Sequence, residues 1–187
     1  MKFLEKDKLE IKLKKNYKKK IGILGGSFDP AHKGHLKIST EAKKKFKINK
    51  IIWAVTQKNP FKSKSKFSLK RRIDIAKNIT KKYNFISVKF YEDKIRSNKT
   101  INLINFIKKK NVKSEIFFLM GADNLISFHK WYRWKEISSK CNILVFDRTK
   151  YKSKSLKSLA FKKISKKRLA FIKFKKVNIS SSKLRKI

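Results

Sequence analysis

The run Gly25-Gly26-Ser27-Phe28-Asp29-Pro30-Ala31-His32-Lys33-Gly34-His35-Leu36 gathers residue types that the rest of this 187-residue chain nearly lacks. Four of the five glycines lie between Gly22 and Gly34, together with two of the three histidines and one of the two prolines. The run follows Ile21-Gly22-Ile23-Leu24, a short apolar stretch that reads as a buried strand. Small residues let a backbone turn and come close to a ligand, and the N–H groups that open a helix attract anions. The segment therefore predicts a phosphate cradle. The spacing puts His32 in the loop and His35 in the first helical turn, both facing an anion at the helix N-terminus. There they can donate to phosphate oxygens as negative charge develops. Glycine alone also fits a plain tight turn, because Gly22-x-x-Gly25-Gly26 is not the dinucleotide fingerprint. A zinc site on the two histidines needs a further ligand, and the single cysteine, Cys141, lies far off in an apolar run.

Apolar runs alternating with amphipathic stretches must position this loop. Strands are predicted at 21–24, 51–55, 86–90, 116–120 and 142–146. Helices are predicted at 34–46, 69–82 and 100–110, with short helical pieces at 124–128 and 134–139. That alternation predicts an α/β, Rossmann-like, three-layer fold with a parallel sheet covered by helices on both faces, the ligand lying beyond the carboxyl ends of the strands. Residues 153–167 are of low complexity, 166–170 fit a short helix, and 171–177 read as a last strand. Residues 1–19 read as a basic leader, and 20–187 as one domain.

Lys and Arg total 54 against 12 Asp and Glu, a net charge of +42. Only seven of those cations are arginine, the residue that reads bases and forks onto phosphates, and lysine is spread along the whole chain. The excess therefore reads as a solvated, lysine-biased surface that speeds capture of polyanions rather than as a specific nucleic-acid interface. One cysteine excludes an internal disulfide and fits a reducing compartment. No stretch has the roughly 18 apolar residues of a membrane span, and the N-terminus lacks a signal-peptide core, so the expectation is a cytoplasmic protein.

Three further strings carry possible chemistry. Gly121-Ala122-Asp123-Asn124-Leu125, followed by His129-Lys130-Trp131, stands at a strand exit, where Asp123 also suits a helix cap. Trp134 reads as core, and His129 as a structural partner. Asn59-Pro60-Phe61-Lys62 ends a strand in a proline turn beside a cation, and Arg71 and Arg72 follow as surface charge or phosphate contacts. Ser180-Ser181-Ser182-Lys183-Leu184-Arg185 offers hydroxyls and cations at a helix start.

Together these strings resemble the signatures of the bacterial nicotinate-nucleotide adenylyltransferases, within the His-x-Gly-His nucleotidylyltransferase superfamily. The matches are Gly-Gly-Ser-Phe-Asp-Pro-x-His-x-Gly-His-Leu at 25–36, Asn-Pro-x-Lys at 59–62, Gly-Ala-Asp-x-Leu with His-x-Trp at 121–131, and Ile-Ser-Ser-Thr-x-Ile-Arg at 179–185, with Ser182 for Thr and Leu184 for Ile. The resemblance implies transfer of AMP from ATP to nicotinate mononucleotide. His32 and His35 would touch the transferring phosphates, and Gly25, Gly26, Ser27, Phe28 and Gly34 would line the ATP site. Ser181, Ser182 and Arg185 would hold the β- and γ-phosphates.

It further implies that Asn59, Lys62, Thr100, Gly121, Asp123 and Trp131 bind nicotinate mononucleotide, Trp131 stacking on the pyridine ring. Mg²⁺ would enter on the ATP phosphates, with no protein side chain as its ligand. The nicotinate carboxylate would accept from backbone N–H groups near Thr100 and Trp131, favouring the acid over the amide. Where the family has Thr-x-Asp-Thr-Leu this chain has Thr100-Ile101-Asn102-Leu103-Ile104, which puts any loop-ordering role of that Asp–Thr pair in doubt. The rivals are an adenylyltransferase for another phosphate acceptor, such as phosphopantetheine, and a nucleic-acid-binding protein on the same fold.

Overall fold

The computed structural model describes residues 19–59, 65–148 and 150–173. Six strands, β1 (Lys20–Gly26), β2 (Lys50–Val55), β3 (Ile86–Phe90), β4 (Glu115–Gly121), β5 (Asn142–Phe146) and β6 (Leu169–Ile172), form one sheet in the order β3-β2-β1-β4-β5-β6. Every pairing is parallel. The helices are α1 (Lys33–Phe46), α2 (Leu69–Thr80), α3 (Glu92–Ile95), α4 (Thr100–Lys110), α5 (Ala122–Ser127), α6 (Trp134–Lys140), α7 (Lys152–Leu156) and α8 (Leu159–Lys163), with a 3₁₀ turn at Phe128–Lys130.

The strands are apolar on both faces because both faces are covered. Ile21 and Ile23 of β1 and Phe118 and Met120 of β4 pack on Ile101, Ile104 and Ile107, the i, i+3, i+6 stripe of α4, with Leu125 of α5 and Ile137 of α6 beside them. Leu24, Trp53, Val55 and Leu119 face the other way, toward Ala42 of α1 and Ala76 of α2. The fold class expected from the alternation is the one observed.

Four boundaries differ from the sequence reading. β1 continues through Gly25 and Gly26, which stay paired with Ala54 and Val55. The one-turn helix α3 was not anticipated. The low-complexity stretch folds into α7 and α8, the latter capped by Ser158 Oγ, which accepts from Phe161 N. No helix forms at 166–170: Arg168 N closes a turn on Ser165 O, and Leu169 and Ala170 already pair with Ile143 and Leu144. Lys62, Ser181, Ser182, Arg185, residues 174–177 of the expected last strand and residues 1–18 of the leader lie outside the described residues.

Candidate active site

β1 is flanked by β2 on one side and β4 on the other, so the strand order reverses direction there. In an open parallel sheet the crevice at such a switch point, beyond the carboxyl ends, is where ligands bind. Gly25 and Gly26, which end β1, and Ser27 just beyond them form one rim of it, and Gly121, which ends β4, lies on the other.

On the first rim the two histidines cap α1 reciprocally. His32, at the N-cap, accepts from Gly34 N through Nδ1 at 3.0 Å, and Nδ1 of His35 accepts from His32 N at 3.2 Å. This is a capping box in which imidazoles replace the usual hydroxyl and carboxamide. An Nδ1 that accepts carries no proton, so in the neutral ring the proton sits on Nε2 of both histidines. The ring centroids are 3.9 Å apart. The cap thus fixes the ring orientation and leaves Nε2 as the nitrogen that carries the N–H.

Beneath them Phe28 stacks on Trp53, at 5.0 Å between centroids and 15° between planes. Trp53 Nε1 donates to Ser39 Oγ, which donates in turn to His35 O. Among the described residues no glycine has a positive φ; the left-handed turn is made by Phe28 at φ 47°. Its buried ring offsets the strain of that conformation. Phe28 is 1% exposed, so its ring supports the loop from beneath and offers no open face to a ligand. The glycines serve instead as an open ledge: Gly25 is exposed, and a Cβ there would meet only the Phe118 ring, at 3.7 Å.

Two buried charged residues hold this rim. Arg72 donates to the carbonyls of Ser27, Thr56, Gln57 and Phe67, and Asp29 accepts from Lys66 N and Phe67 N at 2.9 and 3.0 Å. Both ends of the segment running from β2 to α2, which carries Asn59 and Lys62, are thereby tied to the histidine loop. Burial pulls the Arg72 guanidinium below its ordinary range, while Asp29 and Glu92 pull it back. Arg72 is therefore not surface charge. The sequence offered Arg72 only as surface charge or a phosphate contact and gave Asp29 no role of its own, although Arg72, Ala76 and Thr80 form a buried i, i+4, i+8 stripe on α2.

The second rim is built differently. Asp123 pairs with Arg148 at the end of β5, and a Cβ on Gly121 would lie 2.5 Å from Asp123 Oδ1, so only glycine lets that carboxylate fold back. Trp131 is half-buried, with its ring set edge-on to Phe118 and Phe128, and Trp134 packs on Phe128 in the same manner. Trp131 N donates to Phe128 O, closing the 3₁₀ turn. His129 Nδ1 is buried with no hydrogen-bond partner among the described residues. Thr100 is the first residue of α4, whose N-cap, Lys99, makes no side-chain cap. Asn102 Nδ2 donates to Ser97 Oγ, which also accepts from Lys99 N; Asn102 orders the loop before α4 without the family's carboxylate.

The description "cytidylyltransferase-like" matches residues 23–187 of the chain. A probable nicotinate-nucleotide adenylyltransferase of Pelagibacter ubique is 65% identical over 170 residues, which cover 91% of this chain and 94% of that protein. One of Agrobacterium fabrum is 36% identical over 129 residues, 68% of each chain. Among solved structures, the nicotinic acid mononucleotide adenylyltransferase of Plasmodium falciparum complexed with NaAD superposes with a TM-score of 0.70 at 21% identity, covering 90% of this chain and 83% of that one. That likeness shows the fold.

Proposed function

We propose in-line adenylyl transfer for this chain, which belongs to the nicotinate-nucleotide adenylyltransferases, a branch of the cytidylyltransferase-like family. It is a nucleotidyltransferase that moves AMP from ATP to nicotinate mononucleotide, giving deamido-NAD and pyrophosphate. The observation that carries this is the 65% identity to the Pelagibacter relative across 91% of the chain.

The 5′-phosphate of the mononucleotide is already an anion and attacks the α-phosphorus directly, so no covalent enzyme intermediate is needed. The protein aligns the two substrates and neutralises the leaving group. His32 and His35 are suited to this because their capping bonds leave Nε2–H as the donating group, and Gly25, Gly26, Ser27 and Gly34 border the same loop. Ser181, Ser182 and Arg185 are proposed for the β- and γ-phosphates, and Asn59, Lys62, Thr100, Gly121, Asp123 and Trp131 for the mononucleotide. Mg²⁺ would be held by the ATP phosphates and would neutralise the departing pyrophosphate. The donor set fits that arrangement: Asp29 accepts two backbone N–H groups and Asp123 is paired with Arg148, so neither carboxylate is poised as a metal ligand. The lysine surface adds long-range attraction for polyanions, which salt screens. A cytoplasmic location belongs to the same proposal, supported by the single, buried thiol of Cys141.

The test is pyrophosphate release by the purified protein with ATP and each of three acceptors. Nicotinate mononucleotide should be used best, and the nicotinamide form about 5- to 150-fold less well in kcat/KM, the cost of one mispaired buried group. Equal use of acid and amide would remove the carboxylate site, and release with phosphopantetheine alone would favour the rival acceptor.

A further inference from the structure

We propose that Arg72 is a positioning residue for the transfer, acting by fixing the direction of peptide planes on two neighbouring loops; the proposal rests on the adenylyl-transfer reading. Arg72 is 2% exposed, and its fork spans the exits of β1 and β2. Nη1 donates to Ser27 O at 2.6 Å and to Thr56 O at 2.8 Å, Nη2 to Gln57 O at 3.0 Å, and Nε to Phe67 O at 3.2 Å. Burying a guanidinium is costly, and an apolar side chain would fill the same space at lower cost. What a guanidinium adds here is a planar set of donors able to hold four carbonyls from three separate stretches of backbone.

A trans peptide points its C=O and N–H in opposite directions. Drawing Ser27 O toward Arg72 therefore turns Phe28 N–H away from α2, and drawing Gln57 O inward does the same to Lys58 N–H. The peptide between Thr56 and Gln57 is held from both sides: its carbonyl by Arg72, and its N–H by Glu92 Oε2 at 3.3 Å. The other oxygen of Glu92 takes the Thr56 hydroxyl, and Thr56 N donates to Gly26 O at 3.0 Å. The histidine loop and the entrance of the Asn59 segment thus move as one piece. In-line attack needs the two substrates held at a fixed separation. The fork is what keeps that separation constant, without touching either substrate.

The experiment compares the wild-type protein with Arg72→Lys, which keeps the charge and loses the fork, and with Arg72→Ala with and without added guanidinium. Three quantities are read: kcat, KM for each substrate, and amide hydrogen exchange at residues 26–29 and 56–58. Arg72→Lys should lower kcat/KM about 10- to 100-fold, the scale of a small misplacement of reacting groups. KM for the mononucleotide should rise more than KM for ATP, exchange should quicken at Phe28 and Gln57, and guanidinium should restore part of the activity of Arg72→Ala. A folded Arg72→Lys protein with kcat/KM within twofold of wild type, or with unchanged exchange, overturns the proposal. If neither Arg72 variant folds, Glu92→Ala decides, because it releases the same peptide from the opposite side: a raised mononucleotide KM supports the proposal and an unchanged one overturns it. A wild-type protein inactive with nicotinate mononucleotide would sink the adenylyl-transfer reading alone, and the exchange at Phe28 and Gln57 would still decide the role of Arg72.

Discussion

The two rims of the crevice are held by different forces. On the β1–β2 side, main-chain amides and carbonyls are fixed by Arg72 and Asp29, 2% and 1% exposed, and by the reciprocal histidine cap. On the β4–β5 side, the Asp123–Arg148 pair is only partly buried, its side chains 18% and 42% exposed, and the Trp131 ring leans on two phenylalanines. Hydrogen bonds to backbone fix position within tenths of an ångström, whereas apolar contact tolerates sliding. A phosphorus attacked in line needs the first kind of support, and a flat ring held by area is served by the second.

The largest expected effect tests whether the histidine rim is chemical as well as structural. His35→Ala should lower kcat about 10²- to 10³-fold, the scale of one preorganised donor lost from developing charge. His35→Asn can still accept the His32 N–H from the Nδ1 position but has nothing at Nε2. It should keep the melting temperature that His35→Ala loses and remain slow. Recovery of turnover in the asparagine protein would make His35 a helix cap only.

Next comes the buried carboxylate. Asp29→Asn sets an NH₂ group against the N–H of Lys66 or Phe67, at a cost of about 1–3 kcal/mol. Urea unfolding should show that loss, with KM for the mononucleotide raised as well. A midpoint unchanged from wild type would mean that this rim is no stiffer than the other.

On the softer rim, Trp131→Ala should raise KM for the mononucleotide about 2- to 12-fold, the worth of one aromatic contact of about 0.5–1.5 kcal/mol, and leave KM for ATP nearly unchanged. A fall in kcat with both KM values constant would place Trp131 among the groups that align the phosphates and erase the contrast between the rims.

The smallest effect concerns the apolar layer beneath that softer rim. Burial pushes the Cys141 thiol up to about 12, and its Sγ contacts Ile137 O. Because the folded pKa lies above the unfolded one, near 8.5, the contribution to stability is complete below about pH 8.5 and is lost as the pH rises toward 12. Between pH 8 and 9.5 the wild-type protein should lose about 1 kcal/mol more than Cys141→Ala. Parallel pH curves for the two proteins would show that water reaches this layer.

The contrast between the rims also explains what could be read from the sequence. The strand, loop and helix from Lys20 to Phe46 were legible because glycine, histidine and proline are scarce elsewhere in a lysine-rich chain. Most strands were legible as apolar runs, since both faces of the sheet are covered. Arg72 was hidden because a buried cation looks like any other in a chain with 54 of them, and only its place on the stripe with Ala76 and Thr80 marks it. Asp29 sat inside the most informative string and was passed over, because its partners are backbone amides near Phe67, which no side-chain pattern encodes. β6 begins before Phe171 because pairing with β5, a tertiary event, recruits Leu169 and Ala170.

The strand order has a bearing on how the molecule is made. β1 pairs with β2 early in the chain, Ile23 opposite Ile52, but meets β4 only when Leu24 finds Leu119. As the chain leaves the ribosome, β1, β2 and β3, with α1 and α2, can associate through contacts close in sequence, and the histidine cap and the Arg72 fork can form within that half. The crevice has only one wall until β4 arrives, and closing so long a loop is slow relative to local pairing. The rim proposed for the phosphates can thus be complete before the rim proposed for the pyridine ring docks against it.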